Sequence, residues 1–120
     1  MTTKELISSY NEKNDTFVCK LSDKNGYVAN YDISNGVFLC TDINNLPVSF
    51  FIGDASNVLN VKKSILENPN VSIYLKCSKE EIDFELFIAD KRIYSSKSGN
   101  YFNIPDIDCE IKADWGFKNE

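Results

Sequence analysis

Histidine is absent from this chain of 120 residues, tryptophan and arginine occur once each, and no apolar run approaches the 18 or so residues of a membrane-crossing helix. Each shortage removes a class of chemistry. Without histidine there is no Ser-His or Cys-His nucleophile pair, no imidazole metal ligand, and none of the usual general base near neutral pH. With Arg92 as the sole guanidinium, bidentate clamping of phosphate groups has little to draw on. No glycine-rich phosphate loop is present, and the stretch Asp32-Ile33-Ser34-Asn35-Gly36 carries its glycine one place too early for a calcium loop. No cofactor is expected. The first eleven residues hold no long apolar run, so a mature, cytoplasmic chain is expected, and the sequon matches at Asn14 and Asn70 are read as coincidence.

What is present is ordinary for a globular domain: 42% hydrophobic residues, 26% charged, and 12% aromatic, a leaning towards Phe and Tyr that favours strands. One domain over 1–120 is expected, of a size that buries roughly two thirds of its unfolded surface without staples. Cys19, Cys40, Cys77 and Cys109 stand far apart among strand-like residues, as buried thiols do, whereas a zinc site shows close cysteine pairs. Thirteen Lys and Arg against eighteen Asp and Glu give a net charge of -5, which opposes direct contact with nucleic acid or an anionic membrane surface.

Residues 71–94 carry the strongest pattern. Val71, Ile73, Leu75 and Cys77 fall on one side of a strand, and Ile82, Phe84, Leu86 and Ile88 do the same in a second, so a hairpin with one buried face is expected, turning through 78–81. Shorter strands are expected over 16–21, 27–33, 37–41 and 47–52, the first three as a meander that is well covered because its strands are mostly apolar on both sides, the last with a proline that suits its beginning or an edge. A period of two recurs at Ile107, Cys109, Ile111 and Ala113. Two helices are expected. Thr2 and Glu5 have capping-box spacing ahead of Leu6, Ile7 and Tyr10, giving a helix over 3–11; residues 56–67, with Val58, Leu59, Val61, Ile65 and Leu66 as the apolar stripe, give the second, ended by Pro69. The polar stretch 95–100 is read as a loop with Gly99 as its hinge, and 101–104 as a short strand. The fold expected is therefore α+β, a mainly antiparallel curved sheet of six to eight strands with two short helices packed on it, a closed barrel being the main alternative.

Strand parity sets the candidate site. Asp83 and Glu85 share one face of their strand, as do Asp108 and Glu110, with Asp106 and Asp114 extending the second row and Lys76 and Lys112 tempering the field. Such pairs stand side by side on an open sheet, whereas glycosidase carboxylates face one another across a cleft. Tyr74 and Phe87 fall on the same outward side as the first pair, and Trp115 beside Asp114 reads either as a lid on the sheet or as an aromatic anchor in an acidic rim. These eight residues, Tyr74, Asp83, Glu85, Phe87, Asp108, Glu110, Asp114 and Trp115, are the candidate partner-binding set.

Leu46-Pro47-Val48, Lys62-Lys63 and Asn68-Pro69-Asn70-Val71-Ser72 occur in an order that resembles the flavin-binding split-barrel oxidases. That family places a further hairpin where residues 53–57 leave no room for one, and its phosphate site draws on several arginines, so the flavin role is not carried over. The function expected is that of a small acidic, non-enzymatic binding protein that antagonises a basic protein partner, such as a nuclease toxin or a nucleoprotein, in the manner of an immunity protein. The alternatives are a ligand-binding module or weak enzyme with a pocket between helix and sheet, using Cys40 or Cys77, and an assembly subunit pairing through a strand edge near Pro47 or Tyr101.

Overall fold

The computed structural model describes residues 2–21, 26–67 and 69–112, giving for 2–4 and 109–112 the backbone alone. Nine strands follow in order: β1 (Thr2–Asn11), β2 (Thr16–Leu21), β3 (Ala29–Ser34), β4 (Val37–Thr41), β5 (Pro47–Ile52), β6 (Val71–Cys77), β7 (Glu81–Ile88), β8 (Lys91–Gly99) and β9 (Ile107–Lys112). They run side by side in the order β3-β4-β5-β2-β1-β9-β6-β7-β8. Every pairing is antiparallel except that of β1 with β9. The first half of β1 pairs with β9 and the second half with β2, so this one strand belongs to two sheets. Each sheet is a Greek key, with three consecutive strands in a meander and a fourth returning beside the set: β3-β4-β5 with β2, and β6-β7-β8 with β9.

The expected α+β class is overturned: among the described residues strand dominates, helix is confined to two turns of four residues each, and no helix reaches seven residues. The protein is all-β, two sheets that do not close into a barrel. Residues 3–11 form β1, where Leu6 and Tyr10 face the core and Ile7 faces out. A spacing of four satisfies both a helical face and every second turn of a strand, and the pairing partners β2 and β9 decide between them. Residues 56–67 hold only a four-residue turn of helix, α1 (Ala55–Val58), and a 3-10 turn (Lys63–Leu66). Asn60, at φ 55, leaves the right-handed region and Lys62 is extended, which ends α1 after one turn. Ala55, Leu59 and Leu66 still reach the core, while Ile65 does not.

The two sheets pack face to face through alternate residues of their strands. Phe50 of β5 meets Phe84 of β7, ring centroids 5.0 Å apart, among Phe17, Leu39, Ile73, Leu75 and Leu86, all essentially free of solvent. Val71, Ile73, Leu75 and Cys77 are buried, as are Ile82, Phe84 and Leu86, so the strictly alternating hairpin behaves as its sequence predicts. The open edges, β3 and β8, approach without a ladder. Ser34 and Tyr94 share a hydroxyl hydrogen bond, Tyr31 stacks on Phe102 at 4.6 Å, and Asn45 donates to the carbonyls of Phe102 and Asn103.

Three local expectations fail for identifiable reasons. Residues 95–99, expected as a loop, continue the edge strand β8, because β7 offers a ladder to a polar segment and an edge tolerates such a sequence. Residues 101–104 form a turn instead of a strand: the side chain of Asn100 donates to the carbonyls of Ser78 and Ile104 and accepts from the Ile104 amide. β2 pairs with β1 and β5 and not with β3, so the expected meander of the first three strands is replaced by β3-β4-β5; Pro47 opens β5, a place that suits proline, but β5 lies inside the sheet and offers no open edge.

The β7–β8 turn carries strain that a substitution relieves. Ala89 and Asp90 both have positive φ, 52° and 65°, as a two-residue hairpin matching the sheet twist requires, yet alanine has no local hydrogen bond to offset the clash of its Cβ. Ala89→Gly is expected to raise stability by about 0.5–1 kcal/mol, read as a higher urea midpoint at unchanged slope.

Candidate functional site

The outer face of β9, β6, β7 and β8 gathers the acidic rows. Tyr74 stands opposite Glu85 on one side and Glu110 on the other; Lys76 stands opposite Asp83 and Asp108; Asp83 in turn faces Lys97, and Glu85 faces Ser95. The two carboxylate strands are therefore not neighbours. β6 separates them by two strand spacings, roughly 10 Å, and fills the gap with Tyr74 and Lys76.

Cations sit on this face between carboxylates. Lys97 Nζ lies 3.7 Å from Asp83 Oδ1 and 3.9 Å from Glu81 Oε1, and Arg92 Nη1 donates to Glu85 Oε2 at 3.0 Å. Being solvated, these pairs add little stability, about 0–1 kcal/mol each. Their effect is on the field: a bare negative patch becomes a checkerboard. At its centre Tyr74 forms the wall of a shallow cleft of about 380 Å³ with Asp83, Glu85, Ser95, Ser96 and Lys97. Burial raises the Tyr74 pKa, and a hydrogen bond to Asp108 with the charges of Asp108, Asp83 and Glu85 adds to the shift, so the phenol is held protonated as a donor.

Of the eight candidate residues, the structure brings Tyr74, Asp83, Glu85 and Asp108 together. Phe87 is half-buried one step along β7, opposite Ser72 and beside the β7–β8 bulge at Arg92. Glu110 shares the row by register, its side chain outside the described atoms, and Asp114 and Trp115 lie outside the described residues. Lys97 and Ser95 escape the sequence reading because 95–100 reads as a loop. The only signal for them is the alternation of Ser95 and Lys97 with Tyr94, Ser96 and Ser98, which is weak where nearly every residue is polar.

The opposite sheet has a different outer surface. Its strands are largely apolar on both sides, and among the described residues nothing covers the outer one: Val18, Phe38 and Phe51 stand in one cross-strand row, Phe51 is 40% exposed and Ile7 47%, and Val18, Phe38 and Phe51 line, with Tyr27 and Cys40, a groove of about 360 Å³. The described thiols, Cys19, Cys40 and Cys77, are buried, and burial pushes that of Cys19 far up, the reverse of an activated nucleophile. Among the described residues no helix is long and apolar enough to cross a membrane. No protein-family model, curated protein or solved structure matches the chain, so its function has to be read from these two faces.

Proposed function

We propose that the outer face of β6–β9 is a recognition surface for a basic protein, and that the chain acts by binding, as an antagonist of a nuclease-like or nucleic-acid-binding partner does. The observation that carries this reading is the row Asp108, Lys76, Asp83, Lys97: a rigid antiparallel sheet that seats cations between carboxylates beside an aromatic ring. A partner's Lys or Arg side chains fit the same arrangement, displacing Lys97 and Arg92 into solvent and lying against the face of Tyr74. Carboxylates spaced along a strand also present to such a partner the charge it meets on a nucleic acid backbone.

Reversing charge at Asp83, Glu85, Asp108 and Glu110 together is expected to abolish salt-sensitive capture of a basic protein from the native organism, while leaving thermal stability within a few degrees of the unaltered chain. Capture retained by the four-fold variant would place the interface elsewhere.

A further inference from the structure

The apolar groove on the outer face of β2, β4 and β5 is a second surface, and we propose that its occupant is the chain's own segment Trp115-Gly116-Phe117. Exposed aliphatic and aromatic side chains in one cross-strand row are unusual on a sheet face that nothing covers. Phe38 and Phe51 meet edge-on at 6.3 Å, and Val18, Cys40 and Tyr27 complete the walls. A cavity of about 150 Å³ holds one benzene ring, so the groove, at about 360 Å³, has room for two aromatic side chains.

The topology delivers the segment to this place. β9 ends at Lys112, which is in register with the exposed Glu5 on β1. β1 is the strand shared by the two sheets, and its outward residues, Glu5, Ile7 and Ser9, lead directly from the end of β9 to Val18, which pairs with Ser9. Val18 is two strand spacings from β9 and four residues along β1, about 16 Å from Lys112; Phe51, one strand further, is about 19 Å away. Five extended residues from Lys112 to Phe117 span about 17 Å, and a ring adds several more, so Trp115 reaches the near wall and Phe117 the far one. The assignment moves Trp115 from the partner-binding set to the chain's own packing.

Trp115 is the only tryptophan, so its emission reports the docking alone. In the full chain its fluorescence is expected to be blue-shifted and several-fold less accessible to acrylamide than in the urea-unfolded chain. Phe51→Ser should shift the emission to the red and restore quenching while the far-UV circular dichroism stays unchanged. Should that variant fail to fold, the pair Trp115→Ala and Phe117→Ala, which leaves the sheets intact, should instead open the groove to a several-fold rise in anilinonaphthalene sulfonate binding. Emission and quenching in the folded chain equal to those of the unfolded one would overturn the proposal. So would protection that Phe51→Ser leaves intact, or protection that disappears on dilution, since the latter means a second copy occupies the groove.

Discussion

Phe84→Ala should cost about 3–5 kcal/mol of folding stability, against a total of roughly 5–15 kcal/mol for a domain of this kind. Phe84 is fully buried on β7 and touches both layers, Phe50 across the core at 5.0 Å and Tyr94 edge-on at 6.1 Å. Truncation therefore leaves a cavity that neither sheet can collapse alone, because each is held by its own ladders. The melting temperature is expected to fall by on the order of 10–20 °C. Phe87→Ala, three residues on and half-buried on the outward side, is the control, with a loss below about 1.5 kcal/mol. Equal losses at the two positions would mean that the sheets do not pack through Phe84.

Asp15→Ala is expected to cost about 2 kcal/mol through a different mechanism, the loss of several charge-assisted hydrogen bonds at one carboxylate. Asp15 lies in the β1–β2 turn at φ 54 and serves as the cap that α1 lacks locally. Its Oδ2 accepts from Ser56 Oγ at 2.7 Å, both oxygens accept from the Ser56 amide, Oδ1 accepts from Tyr10 OH at 2.7 Å, and its backbone carbonyl accepts from the Ala55 amide. Burial acts to raise the Asp15 pKa, but the hydrogen bonds from Tyr10 and Ser56 and the charge of Lys63 outweigh it, and the net shift is downward. The carboxylate thus stabilises the fold above its unfolded pKa, about 3.9, and that contribution is lost as pH falls through the lower folded value. The stability gap between the unaltered chain and Asp15→Asn should accordingly narrow below about pH 4. Tyr10 works in the opposite direction. Burial first, then the hydrogen bond to Asp15 and the charges of Asp15, Glu12 and Glu67, raise its pKa to about 12, so its contribution is lost as pH rises from about 10 towards that value. Urea titrations at graded pH measure both slopes.

Much of the strand content is legible in the sequence, from alternation where one face is buried and the other is wet, as over 71–77, and elsewhere from short apolar runs bounded by turn residues. Residues 16–21, 37–41, 47–52 and 71–77 become strands with the expected bounds. The first ten residues mislead because Leu6 and Tyr10 are four apart, a distance at which the helical and extended periods coincide. Residues 95–99 mislead because an edge strand needs no apolar row at all, only a neighbour with free backbone groups. Strand order is out of reach: local turns such as Asn35-Gly36 mark a hairpin, but nothing local says that β2 skips β3 to lie beside β5, or that β9 inserts between β1 and β6. The candidate site inherits that gap. Parity puts Tyr74, Asp83, Glu85 and Asp108 on outward faces, and only the order β9-β6-β7-β8 shows them sharing one surface with Lys76 and Lys97 between them.

That surface is where the functional reading is most directly tested. A short arginine-rich peptide can stand in for the basic partner in a titration of the labelled protein, with backbone amide and tyrosine ring shifts followed by NMR. The expected result is a set of shifts confined to Tyr74, Lys76, Asp83, Glu85, Ser95 and Lys97 that weakens steeply with added salt and strengthens in Lys97→Ala. Shifts spread evenly over all exposed carboxylates, or centred on the outer face of β2 and β5, would contradict the assignment of this face as the site of recognition.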